Sequence, residues 1–258
     1  MYENIDFEKI EKRINKIVWW IPFKNLRDTI REIFTKIYNI DNNIKNLSEI
    51  LIDSNSIAIL NSIMEHLHTK KEYRHILLDI KENDVCVDCG ANMGLFTRLV
   101  DIQKGICYSF EPNVSLYNHL SKRYKNSKNI HIYNNAVSNK NEKVKFFTSG
   151  NNYINDQGFT MSYKMSDSYV EIESIKFSNF LKNEILTKYN FIYLVKIDIE
   201  GEEFNVLEDI INEQLYNYIG YIFVETHERF LENGEERMQK IKKLIELNNI
   251  RNIYLDWF

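Results

Sequence analysis

Apolar positions along the chain change their period near residue 72, and that change divides the sequence in two. Before it they recur at helical spacing. Leu26, Ile30, Ile33, Phe34 and Ile37 form one stripe, and Ile37, Ile40, Ile44, Leu47 and Leu51 then step by alternating threes and fours. The second run holds an a/d register for only about two heptads, so packing within the chain and pairing between two copies both satisfy it. A helical region is therefore expected over residues 1–71, serving as an anchor or as a homodimer contact.

From 72 to 258, short β-prone runs alternate with helical patterns. Core strands are predicted over residues 85–87, 106–110, 130–133, 192–197 and 221–224. Helices are predicted over 73–80, 95–103, 114–125 and 235–248. Alternation of this kind argues an α/β domain with a mostly parallel, doubly wound sheet that binds ligands at the carboxyl ends of its strands. Residues 143–147 and 169–175 read as extra strands, and the polar stretch 149–168 between them has the length of a binding loop or lid. Only residues 251–258 follow the last helix, so either an abbreviated sheet edge or a shortened chain is expected.

The best-marked junction is Val85-Cys86-Val87-Asp88-Cys89-Gly90-Ala91-Asn92-Met93-Gly94. An apolar strand runs into an acidic residue, and Gly90, Ala91, Asn92 and Gly94 make a turn over which a ligand can approach bare backbone. A dinucleotide fingerprint would need a third glycine, which is missing; an NAD-dependent Rossmann-type enzyme is the alternative this disfavours. Asp88 would repel a phosphate and attract an ammonium. S-adenosylmethionine, with its amino-acid end, fits better. Glu111 follows the second strand about 20 residues on, where a carboxylate takes ribose hydroxyls. Pro112 sharpens the turn after it, and Asn113 completes the block.

These blocks resemble the FkbM-type S-adenosylmethionine-dependent methyltransferases. The resemblance rests on Val87–Gly94, Phe110–Asn113, Asn135-Ala136-Val137-Ser138, Val195-Lys196-Ile197-Asp198-Ile199-Glu200-Gly201-Glu202-Glu203 and Phe223-Val224-Glu225-Thr226-His227, in the family's order over roughly residues 76–230. It implies a class I (Rossmann-like) methyltransferase fold, with Asn135 and Ala136 edging the adenine. It also implies transfer to oxygen, often on a sugar or polyketide hydroxyl. The segment 19–27 is similar to openings of some bacterial surface-polysaccharide enzymes, which directs the expected acceptor toward a glycan. An Asn/Asp-Pro-Pro-Tyr element, used by many amino-methylating enzymes, is missing after the fourth strand; Lys196–Gly201 stands there instead. A catalytically inactive partner subunit with this fold is a further alternative.

Methylating a hydroxyl requires alignment and removal of a proton. Lys196, Asp198 and Glu200 share one face if their strand continues, and the next strand delivers Glu225 and His227 alongside. Two arrangements answer the need. In one, His227 acts as the base, its ordinary pKa lying closest to neutral. In the other, Asp198 and Glu225 hold magnesium or manganese, which lowers the hydroxyl pKa. Glu202, Glu203, Glu208 and Asp209 are expected on a solvated helix, where acidic groups favour the N-terminus.

Charge and cysteine content narrow the partners. Formal net charge is −4, so no broad electrostatic footprint for nucleic acid is expected. Cys86-x-x-Cys89 has metal-pair spacing, but Cys107 stands alone; Cys86 and Cys107 are expected as small core residues and Cys89 as a tight-turn residue. Residues 1–16 are charged throughout, unlike a secretory leader, and the apolar run 17–23 is too short to span a bilayer. A cytoplasmic protein is expected. Trp19 and Trp20 either touch the inner-membrane surface or pack the segment onto the catalytic domain.

Overall fold

The computed structural model describes residues 58–147 and 169–257. The expected helices before residue 58, Trp19 and Trp20, and the polar segment 149–168 lie outside them. Among the described residues no helix is long and apolar enough to cross a membrane.

A six-stranded sheet forms the centre: β1 (Val85–Cys89), β2 (Ile106–Phe110), β3 (Ile130–Tyr133), β7 (Ile192–Ile197), β8 (Ile219–Val224) and β9 (Ile253–Tyr254). Its order is β3-β2-β1-β7-β8-β9, and every adjacent pair is parallel. The chain starts in the middle at β1, moves outward to β3, and returns to pair β7 on the other side of β1. Crossovers lead in opposite directions from β1 and β7, which opens a crevice at their carboxyl ends. The abbreviated edge is β9, whose two residues pair with Ile222 and Phe223.

Strands covered on both faces should be apolar throughout, and β1 and β2 are buried at every position. On one face Val87, Cys89, Phe110 and Ile197 pack beneath Phe177, Leu181, Phe204 and Ile241. On the other, Cys86, Cys107 and Phe223 pack with Leu60, Met64, Phe96 and Trp257, so this core reaches back before residue 72. Flanking helices are α1 (Arg74–Leu78), α2 (Leu95–Ile102), α3 (Val114–Arg123), α4 (Phe177–Phe180), α5 (Glu203–Asn212) and α6 (Gly234–Leu247).

The extra strands expected over 143–147 and 169–175 are β5 (Lys143–Phe147) and β6 (Tyr169–Lys176), and two elements were not anticipated, β4 (Ala136–Ser138) and the helix after β6. The three strands form a second sheet of order β4-β6-β5. β4 is too short to show a period. Helix α4 continues into a π-helical turn over Leu181–Ile185, and Phe177, Leu181 and Ile185 are completely buried. Insertion of that wider turn shifts the apolar stripe out of simple α register.

Candidate functional site

Strand-end geometry forces the first turn. Gly90 has φ +81°, Asn92 φ +49° and Gly94 φ +77°. A Cβ on Gly90 would stand 1.8 Å from the backbone oxygen of Asp198, so glycine lets the ends of β1 and β7 meet. Gly90 N–H and Ala91 N–H both donate to Phe110 O, at 3.1 and 2.9 Å, tying the turn to β2.

A cleft opens over these strand ends. Gly90 and Asn92 line it from the first turn, Glu111, Pro112 and Asn113 from the second, and Asn135 and Ala136 from the third. Ala91 and Gly94 hold the turn's shape without lining the cleft. Apolar walls come from Phe110, Leu116, Val137, Phe146 and Ile199, of which Leu116 and Phe146 fall outside the sequence motifs. Asn113 has a second duty: its Oδ1 accepts from Ser115 N–H and Leu116 N–H, capping α3.

Among the described residues, Glu111 is the carboxylate that lines the β2 end of this cleft. Asn92 N–H donates to its Oε2 at 2.6 Å and Asn113 N–H to its Oε1 at 2.7 Å. Two fixed donors aim the head group and leave each oxygen a further lone pair for a ligand hydroxyl. Burial pushes its pKa from 4.5 up to about 7, against the pull of those two amides.

Asp88 stands one layer behind the cleft, fully buried. Parallel register sets Ser109, Asp88 and Lys196 side by side on neighbouring strands. Thr97 Oγ1–H donates to Asp88 Oδ2 at 2.8 Å, and Lys196 Nζ lies 3.3 Å from Asp88 Oδ1. The carboxylate that the sequence suggested for a ligand ammonium is thus occupied by the chain's own ammonium. Lys196 also donates to Gly90 O at 2.9 Å and reaches Asp198 Oδ2 at 3.3 Å. Burial disfavours its charge, but Asp198 and Asp88 outweigh that and raise its pKa.

Beyond Lys196 the acids gather around one imidazole. Asp198 and Glu200 line the cleft, while Glu225 and His227 lie behind them at the end of β8. His227 Nε2 is 3.5 Å from Glu200 Oε2, 3.6 Å from Glu225 Oε1 and 4.0 Å from Asp198 Oδ1. Its Nδ1 is 2.8 Å from Glu203 Oε1. Glu203 is fully buried, and its carboxylate also accepts from Ile199 N–H and Gly201 N–H. This corrects the expectation for Glu202 and Glu203, which are interior groups; Glu202 accepts from Ser138 Oγ–H at 2.9 Å. Glu208 and Asp209 pair with Lys240 and Lys176.

Electrostatics of the cluster follow from this crowding. Burial alone would lower the His227 pKa, but the Glu203 hydrogen bond and the neighbouring acids override it and lift it to about 9. An imidazole so placed favours its charged form near neutral pH, which argues against the role of base. Glu225 rises to about 7 through burial and repulsion by Asp198, and burial also raises Glu200.

A family model described as Methyltransferase FkbM domain matches residues 88–251, which contain the whole cleft and the whole acid cluster. The chain belongs to this family. It is a methyltransferase. No curated protein sequence matches the chain.

Membership in the FkbM family replaces the dehydrogenase alternative. The three cysteines take no part. Cys86, Cys89 and Cys107 are free and buried, and burial pushes their thiols up.

Proposed function

We propose that this FkbM methyltransferase uses S-adenosylmethionine and delivers the methyl group to a hydroxyl oxygen of a glycan or related small acceptor. Glu111 carries the reading: a buried carboxylate, fixed by two backbone amides, with acceptor capacity directed into a cleft walled by Ala136, Val137 and Phe146. That combination suits a ribose diol beside a flat heterocycle. When bound, the cofactor supplies an activated methyl on sulfur. The chain must then align an oxygen with it and remove one proton.

Asp198 and Glu200 meet that need where they line the same cleft. Their oxygens accept the acceptor's O–H hydrogen and orient the oxygen lone pair along the transfer axis. Glu225, poised at about 7, takes the proton onward at a pH where a carboxylate both accepts and releases it. Several acids at this end favour a neutral polyhydroxyl acceptor over a phosphorylated one, which they would repel. The resemblance of segment 19–27 to polysaccharide enzymes supports the same choice. A cytoplasmic location, contact of Trp19 and Trp20 with the inner-membrane surface, and homodimer contact through the 1–71 helices belong to this proposal.

Calorimetric titration with S-adenosylhomocysteine tests the cofactor, and transfer of a tritiated methyl group to candidate sugars tests the acceptor. Saturable one-to-one binding and labelled sugar are expected. Failure to bind would refute the assignment; binding with no transfer to any hydroxylated acceptor would point instead to an inactive partner subunit.

A further inference from the structure

We propose that Asp198, Glu200 and His227 form a binding site for a first-row divalent cation of the manganese(II) type. Glu203 is the positioning residue of that site. The inference rests on the methyltransferase reading only for its use, not for its existence.

The donor atoms of Asp198, Glu200 and His227 all lie within 4.8 Å of one another. Ligands about 2.1 Å from one ion stand roughly 3.0–3.5 Å apart when adjacent and about 4.2 Å apart when opposite. Separations of 3.5 Å and 4.0 Å from Nε2 to Glu200 and Asp198 fall in that range. Glu225 Oε1, 3.6 Å from Nε2, stands ready as a fourth donor. Lys196 takes the other oxygen of Asp198, leaving Oδ1 turned toward the imidazole.

A second observation points to the ligand independently. His227 is only 3% exposed, and its Nε2 is aimed among three carboxylates without a hydrogen bond to any described residue. Glu203 explains the orientation. Ile199 N–H and Gly201 N–H fix it as an acceptor, so it takes the Nδ1–H and leaves Nε2 as the nitrogen that an ion would bind, displacing its proton. This carboxylate–histidine pairing is the arrangement that orients a metal-ligating imidazole and raises its basicity. Backbone strain agrees: Glu200 is held at φ +56° ahead of Gly201 at φ +109°, which returns its side chain to the cluster.

Chemistry of the donors selects the ion. Calcium and magnesium favour all-oxygen shells, whereas an imidazole beside two or three carboxylates suits manganese, iron(II) or zinc. Several carboxylates favour the larger, six-coordinate manganese. Its place beside the cleft would lower the pKa of an acceptor hydroxyl.

The test uses the full chain stripped with chelator, titrated with manganese(II) and followed by loss of the free-ion paramagnetic resonance signal. Cobalt(II) gives a parallel visible absorption. One equivalent should bind. His227→Ala and Glu200→Gln should each weaken binding by more than about tenfold, and Glu203→Gln by roughly 10–100-fold. Glu208→Gln, on the surface, should change nothing. Absence of stoichiometric binding to the wild-type chain overturns the proposal, as does binding indifferent to both Glu200→Gln and His227→Ala. S-adenosylhomocysteine titration of the same samples separates the two claims. Cofactor binding without manganese binding sinks the cation site alone, and manganese binding without cofactor binding sinks the S-adenosylmethionine reading alone.

Discussion

Glu111 should make the protein less stable as pH rises, and Glu111→Gln should remove its share of that dependence. Its pKa lies at about 7 in the folded chain against 4.5 for an unhindered glutamate. A group whose folded pKa is raised adds stability that is fully present below about 4.5 and is lost as pH climbs through about 7. The gap corresponds to about 3 kcal/mol. Other groups act in the same direction, since Glu225 is raised to about 7 and His227 to about 9. They are common to both proteins and cancel in the difference. Urea unfolding of wild type and Glu111→Gln at pH 5, 6, 7 and 8 should therefore show the variant gaining on wild type by about 3 kcal/mol between the extremes. A difference constant within about 1 kcal/mol over that range would refute the account of a charge buried at a cost.

Ligand affinity should move the opposite way. Only the ionised form accepts from both ligand hydroxyls while its two amide donors stay satisfied. Wild-type affinity for S-adenosylhomocysteine should then fall as pH drops below about 7. Glu111→Gln turns an amide N–H toward Asn92 N–H or Asn113 N–H, and hydrogen bonds to a charged group carry about 1.5–3 kcal/mol each. A loss of roughly 10–1000-fold in affinity is expected at pH 8, readable by calorimetry. Equal affinity in the two proteins would remove Glu111 from the cofactor site.

Gly90→Ala should unfold the protein or cost more than about 3 kcal/mol by denaturant titration, because its Cβ meets the backbone oxygen of Asp198 at 1.8 Å and φ is +81°. Gly94→Ala should cost less, about 1–2 kcal/mol, since its clash is with the movable Leu120 Cδ2 at 2.5 Å; equal costs would contradict the close approach of β1 and β7. Lys196→Met should destabilise by about 3–5 kcal/mol by stranding buried Asp88, and pairing it with Asp88→Asn should recover part of that in the same unfolding assay. Asp198→Asn should lower methyl transfer by about 100-fold or more while leaving cofactor affinity within about threefold; full turnover would move the acceptor site elsewhere.

Much of the cleft was legible because it is built from strand ends, and strand ends are local. Gly90, Asn92, Glu111, Pro112 and Asn113 each follow an apolar run by one to four residues, so the chain order alone places them on one edge of the sheet. What the sequence hid were facts of facing. Asp88 reads as a ligand carboxylate, but the pleat turns it toward α2, where Thr97 and Lys196 take it up. Glu203 reads as one more acid at a helix N-terminus. Only the return of β8 beside β7 brings His227, 24 residues later, onto its carboxylate. The helix after β6 escaped for another reason: Phe177, Phe180 and Leu181 repeat at helical spacing, but the π turn from Leu181 breaks the run before it reaches a recognisable length.

The buried polar row across the sheet explains why such a facing is worth its cost. An ion pair in the interior seldom improves stability over apolar packing, so Lys196 must be accounted for by position. Its ammonium touches Gly90 O in the turn after β1, Asp88 behind it, and Asp198 at the edge of the acid cluster. A hydrophobic side chain could fill that volume but could not hold three oxygens from two strands at fixed spacing. The distance between the cofactor turn and the first acid of the cluster is therefore set by one side chain on β7. In-line transfer depends on that distance, since a misplacement of about 1 Å can cost about 100-fold in rate. Lys196 accordingly works as a spacer between the two halves of the site rather than as a proton carrier, its pKa being raised well away from neutral by the acids it joins.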